Sequence, residues 1–191
     1  MPLVDESTVV AGSGRVLLGA TTAAKPTLAA ITTFLSAGTL PAGLVEIGHT
    51  SIDDVLVFSQ DGGDSTVLAS WQNSALRNIN TSAAVDSFVI KSLQLKDNAA
   101  LDMYYGGGDV SVANEFSVLD TPIIQEKSVL VVIADSASPI AMWVPRASVQ
   151  RDDSPDFPSD DFATLPIRFT LLKKTGVPKL TWISDLLGAA V

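Results

Sequence analysis

Lys127-Ser128-Val129-Leu130-Val131-Val132-Ile133-Ala134 carries apolar side chains at consecutive positions, so whichever way they alternate neither face can meet water. A short β-branched run of this kind reads as a central strand covered from both sides. Working outward, Ile140 to Val149 and Leu165 to Leu172 follow as strands, the latter alternating through Leu165, Ile167, Phe169 and Leu171, and Leu180 to Ile183 closes the sheet. Upstream, Phe88 to Leu95 and Glu115 to Leu119 are further strand candidates. Leu44 to His49 alternates with Val45 and Ile47 on one side and Glu46 and Gly48 on the other, the pattern of a half-buried strand.

Val55 and Val57, then Val67, Ala69 and Trp71, keep the same period on either side of Ser59-Gln60-Asp61-Gly62-Gly63-Asp64. Glycine supplies the positive φ that tight hairpin turns need, so residues 54–71 are expected to form a protruding hairpin turning at Asp-Gly-Gly. One helix stands out over 97–105. Asp97 can cap it, Leu101, Tyr104 and Tyr105 share a face, and Gly106-Gly107-Gly108 ends it, so it is expected to plug an open end or edge of the sheets. A second helical candidate starts at Pro26 with Leu28, Ile31 and Leu35 on one face and Gly38 beyond; its threonines weaken it. Residues 1–43, rich in Ala, Gly, Thr and Pro, read as an N-terminal arm. A β domain over 44–184 and a tail over 185–191 complete the division, with an acidic loop at 151–161.

Composition narrows the chemistry. With 191 residues the chain can bury a core of its own, and without cysteine that core rests on packing and hydrogen bonds alone. Met1 to Glu6 shows neither the basic nor the apolar region of a secretion signal, and the longest apolar run is far short of about 20 residues, so neither export by signal peptide nor membrane insertion is expected. A formal charge of −9 opposes any grip on nucleic-acid phosphates. The signs are also segregated. Residues 26–76 hold Glu46, Asp53, Asp54, Asp61 and Asp64 without a cation, and residues 97–126 are likewise acidic. Residues 162–184 instead hold Arg168, Lys173, Lys174 and Lys179 without an acid.

Enzyme constellations fail at the first count, because His49 is the sole histidine and its neighbours in a strand point to opposite faces. Gly14 to Thr21 has alanine where a phosphate-binding loop needs lysine and reads as a strand. Asp152, Asp153, Asp156, Asp160 and Asp161 lack the spacing of a calcium loop, which leaves calcium as an open alternative to a solvated acidic loop. Trp71, Trp143 and Trp182 fall on three expected strands, where tryptophan serves core or interface packing. No catalytic, cofactor or metal residue is assigned.

The order of features is informative: Gly19-Ala20-Thr21, Lys25-Pro26-Thr27, Glu46-Ile47-Gly48-His49-Thr50-Ser51, Gly62-Gly63-Asp64, Trp71 and Leu76-Arg77. After the helix ending at Tyr105-Gly106 come Val129 to Ala134, Trp143-Val144-Pro145-Arg146-Ala147-Ser148-Val149, the acidic loop, and Leu165-Pro166-Ile167-Arg168-Phe169-Thr170. Through nearly all of the chain this resembles the tail tube (major tail) proteins of siphophages, particularly those infecting actinobacteria. The resemblance implies a mainly β fold, a β-sandwich or distorted barrel of two packed sheets with one flanking α-helix, a hairpin or stacking loop over 53–86 and an extended N-terminal arm. It implies hexameric rings that stack head-to-tail into a tube around a tape-measure protein, later replaced by passing DNA. Tail terminator and distal tail or baseplate proteins would be further partners.

On that reading the basic segment with Arg168, Lys173 and Lys174 is expected to meet acidic Asp53, Asp54, Asp61 and Asp64 of another copy, beside it or in the next ring. Glu46, Glu115, Asp120 and Glu126 are candidates for a slippery acidic lumen. Rival readings are another tail ring component, such as a distal tail or neck protein, and a carbohydrate-binding β-sandwich.

Overall fold

The computed structural model describes residues 8–9, 11–51, 56–134 and 138–188. In chain order these form β1 (Ser13–Gly19), α1 (Leu28–Ala37), β2 (Leu44–Glu46), β3 (Val57–Asp61), β4 (Ser65–Ser70), β5 (Asn73–Asn80) and β6 (Val85–Ser92). There follow α2 (Asn98–Tyr105), β7 (Gly108–Asp109), β8 (Ser117–Val118), β9 (Gln125–Ala134), β10 (Ile140–Arg151), β11 (Leu165–Leu171) and β12 (Thr181–Ile183). The fold is mainly β, with several packed sheets and, among the described residues, no closed barrel, in keeping with a β-sandwich.

β9 is the central strand its composition requires. It pairs antiparallel with β1 on one side and β10 on the other, within an eight-stranded sheet ordered β2-β1-β9-β10-β11-β6-β3, with β12 also on β10. Val129 and Val131 enter one core with Val16, Phe88, Phe169 and Met142, while Leu130 and Val132 enter a second with Leu17 and Trp143. The register of β10 against β9 shifts between Val144 and Ala147. Above that bulge β10 pairs with β12 through 141–143, and below it with β11 through 147–151, so one strand serves two parts of the sheet.

Two helices, not one, flank the sheet. α2 buries Ala100, Met103 and Tyr104 in the larger core; Asp97 caps its first turn by accepting from Ala99 N at 3.0 Å, and Gly106 closes it at φ +70°. α1 buries Ile31 and Phe34 against Leu17, Leu130 and Trp143 on the other face. Its threonines are accommodated because Thr32 and Thr33 donate their hydroxyls to the Leu28 and Ala29 carbonyls at 3.0 and 2.9 Å. Apolar spacing outweighed the low propensity of those residues.

Four further expectations are corrected. β3 and β4 do not pair with each other: β3 pairs with β6 and β4 with β5, so the ribbon turns at Trp71-Gln72, and Trp71 lies in a turn. Gly62 and Gly63 do have positive φ (+74° and +80°), yet they join two collinear stretches where the chain passes Ala83; a Cβ on Gly62 would stand 2.5 Å from the Ala83 carbonyl oxygen. The 1–43 segment is not wholly an arm, since β1 is an interior strand paired on both sides. In β2 the inward residue is Leu44 and Val45 is 68% exposed, because the strand lies at the sheet margin with α1 covering only one of its faces. Finally, of Glu115 to Leu119 only Ser117 and Val118 are extended, and Glu115 sits in a turn closed by its N–H to the Val112 carbonyl.

Burial separates what holds the subunit together from what does not. Every residue of β4 and β5 except Ile79 is exposed, whereas Trp143 is fully enclosed. Replacing residues 65–80 by a Gly-Gly turn is therefore expected to change the unfolding free energy of the monomer by less than about 1 kcal/mol. Trp143→Ala should cost about 3–5 kcal/mol. Urea denaturation of both variants checks the contrast, and a strongly destabilised hairpin deletion would refute it.

Candidate assembly interfaces

The candidate assembly surface of this subunit is the margin of its sheet. β2 and β3 lie at the two ends of the strand order and do not pair with one another, so each has one margin without a partner strand among the described residues. Every residue of β3 is exposed, among them Val57 and Phe58; the Phe58 ring leans on Phe88 at 5.5 Å and reaches toward Trp182 at 6.5 Å. Such an edge is a template for another strand, and Val57 and Phe58 themselves carry no charge to blunt it.

Beyond β3 and β6 the β4–β5 ribbon continues outward. Its base is locked: Thr81 N donates to the Asp64 carbonyl at 2.8 Å, and the Ser82 hydroxyl accepts from Asp64 N and donates to its carboxylate at 2.9 and 3.1 Å. Past that base the ribbon exposes Val67, Leu68, Leu76 and a fully exposed Trp71. A two-stranded ribbon without a packed face is marginal in water. Its apolar side chains thus mark a contact surface.

A third apolar surface follows α2. Val110, Val112, Val118, Leu119, Ile123 and Ile124 are all exposed, although the segment is pinned by Ile123 N on the Gly106 carbonyl at 2.6 Å and Gln125 Nε2 on Asp102 Oδ2 at 2.7 Å. Nothing in the primary structure marked this patch, because its apolar residues follow neither the helical nor the strand period.

The charged candidates fall into three groups. Asp53 and Asp54 lie outside the described residues. Arg168 is committed within the chain, its Nε donating to Asp152 Oδ1 at 2.6 Å, and Lys174 Nζ donates to the Thr21 carbonyl at 2.5 Å. Lys179, from the same basic stretch, pairs with Asp86 at the ribbon base. Glu46 receives Arg15 Nη1 on both oxygens at 3.0 and 3.1 Å, under a guanidinium that also covers the Phe34 ring. Glu126 receives Arg146 at 2.7 and 2.8 Å, which holds its carboxyl below the ordinary glutamate value. Among the described residues Asp61, Lys173, Glu115 and Asp120 have no ionic partner. Asp64 is tied to Ser82 only. Part of the segregation seen along the chain is therefore neutralised by folding.

Nothing on these surfaces assembles a catalytic centre. His49 is exposed and its carbonyl accepts from Leu93 N, while Tyr104, its phenol pushed up by burial and by Tyr105, donates to the Asp153 carbonyl at 2.5 Å. Among the described residues no group of three or more acidic or histidine side chains could hold a metal, the acidic loop included. No helix among them is long and apolar enough to cross a membrane.

Comparison with known proteins points the same way as the open margins. Residues 1–191 match the family model described as phage tail tube protein. The chain is 36% identical over 189 residues to the major tail protein Gp23 of Mycobacterium phage D29, covering 96% of this chain and 94% of that protein. To the major tail protein Gp23 of Mycobacterium phage L5 it is 36% identical over 185 residues, covering 95% and 92%.

The Glu126–Arg146 pair gives a direct titration test. A carboxyl held low contributes stability above its unfolded pKa and loses it as the pH falls through the depressed folded value. Arg146→Gln should move the Glu126 midpoint up toward the ordinary range in an NMR titration; an unmoved midpoint would show that the pair does not form in solution.

Proposed function

Because the chain belongs to the phage tail tube protein family, as a structural virion component and not an enzyme, we propose that its copies form hexameric rings that stack into the tail tube of a siphophage. The observation that carries this reading is the unfinished sheet. β2 at one margin and the apolar β3 edge at the other are different surfaces of one subunit, which is what a ring of identical copies needs for a heterologous contact that closes on itself. Stacking needs a second contact that does not close, and the ribbon beyond β3 and β6 supplies a projection suited to it.

The bore of such a tube is a conduit for DNA, and a net charge of −9 per copy suits passage without adhesion. Carboxylates at the wall repel phosphates, and no counterions are released by contact. Of the lumen candidates Glu115 and Asp120 are free to act in this way, while Glu46 and Glu126 are compensated by Arg15 and Arg146. The tape-measure protein, the tail terminator and distal tail or baseplate proteins would engage the bore and the two tube ends. Between copies, Lys173 is the remaining free cation of its stretch for an acidic partner such as Asp61, and a side-by-side contact is the simplest use of both.

Negative-stain imaging and native mass spectrometry across protein concentration test the proposal. Six-copy rings and tubes are expected; a persistent monomer with glycan binding would overturn it in favour of a carbohydrate-binding module. Isolated rings that never lengthen would favour a neck or distal component. Lys173→Glu should raise the concentration at which rings form while leaving the monomer's circular dichroism unchanged. Glu115→Lys combined with Asp120→Lys should slow DNA ejection from assembled particles, and unchanged kinetics would remove these residues from the lumen.

A further inference from the structure

Trp71 presents its whole indole to water at the tip of the ribbon, an exposure that costs free energy unless another surface covers it. Elsewhere on the subunit a groove of about 360 Å³ opens between α2 and the ends of β1 and β2. Leu18, Val45, Ala99 and Met103 line it with apolar surface, and its volume lies near the lower end of the range for specific pockets, about 300–1,000 Å³. We propose that Trp71 of one copy seats in this groove of a copy in the neighbouring ring, an inference that rests on the stacking reading above.

Chain direction places the two parts suitably. β6 and β10 run the same way, since each is antiparallel to β11, and β1 runs with β10 because both are antiparallel to β9. The ribbon precedes β6 and so leaves the sheet in the sense from which β10 starts. The groove lies where β1 ends, at Gly19 and Ala20, which the register sets level with the β10 bulge and so behind the start of β10, past which the ribbon runs. A projection that runs past the sheet and a socket set back from it are different surfaces, which is what a head-to-tail contact that repeats without closing requires.

Charge selects the same pairing. Arg77 is the only charged residue between Ser65 and Asn80, and it finds no anion among the described residues. The groove holds Asp97 and Asp102 against a single lysine, Lys127, with Glu46 already compensated by Arg15. Asp97 and Asp102 accept from Ala99 N and Gln125 Nε2 respectively, and each retains acceptor capacity for a guanidinium or an indole N–H. An aromatic anchor flanked by one arginine is the usual composition of an interface hot spot.

The absence of cysteine gives a clean test. Gln72→Cys protein and affinity-tagged Ala99→Cys protein are mixed, assembled and oxidised. A disulfide-linked heterodimer is expected in tubes and not in dilute subunits. Trp71→Ala should raise the concentration needed for tubes roughly thirtyfold, the ratio matching a hot-spot aromatic of about 2 kcal/mol, while rings persist. Ala99→Arg, on the exposed first turn of α2, should do the same by filling the groove and repelling Arg77. Tubes that form at the wild-type concentration from either variant, or that assemble without the cross-link, overturn the socket and leave stacking intact. Wild-type rings that never stack overturn both.

Discussion

β10 is the strand on which the architecture depends, and the shift in its register between Val144 and Ala147 is what lets it do two jobs. Pro145 has no N–H to give to a ladder, so the bulge is where a proline can sit in an otherwise central strand. Below the bulge the strand departs from β12 and takes up β11, and through β11 the chain reaches β6 and β3. Arg146, the bulge's second residue, has its side chain on Glu126 of β9 and donates to the Lys173 carbonyl at 3.4 Å, which fastens the irregularity on both flanks. β9 stays on one side of β10 through the bulge, while β12 and then β11 take the other. Phe88, Phe169 and Val149, from β6, β11 and β10, share one core.

The same sheet leaves two margins that do not pair with one another among the described residues. β2 has only three residues and β3 five, at opposite ends of the strand order, so the subunit is stable through its interior and incomplete at its rim. A monomeric protein of this size would ordinarily blunt such edges with charge, proline or a covering helix. Here α1 and α2 are both spent on the faces of the sheet, and the apolar surface left at β3, at the ribbon and along 110–124 is what a tail tube subunit has to offer its copies.

Much of this was legible from residue order alone. The double-faced apolar run from Val129 to Ala134 fixed the centre of the sheet, and the alternation from Leu165 to Leu171 fixed its partner two strands away, because burial on one or both faces leaves a local trace. Asp97 and Gly106 bounded α2 through capping chemistry that acts within a single turn. The ribbon was misread for a physical reason: positive-φ glycines are needed both at a two-residue turn and at a twisted junction, and sequence cannot tell which. The turn at Trp71-Gln72 carries neither glycine nor proline. Interface residues were least legible. Arg168 and Asp152, or Glu46 and Arg15, are paired across the sheet by register, so their charges looked available along the chain when folding had already joined them.

That internal pairing also decides what drives assembly. Arg15, Arg146, Arg168 and Lys179 are each matched to an acid of the same chain, acids outnumber cations 21 to 12, and every copy carries the same negative excess. Copies of like charge repel over roughly a Debye length, about 8 Å at physiological ionic strength. In the proposed assembly, attraction comes from contacts shorter than that: main-chain hydrogen bonds along β3 and burial of Val57, Phe58, Leu76 and Trp71. Charge then acts as a filter, since a misaligned approach meets the full repulsion without the compensating contact and only the register that buries these side chains is retained. The acidic excess and the apolar edges are two halves of one requirement, that the subunit stay apart from its copies until the fit is right.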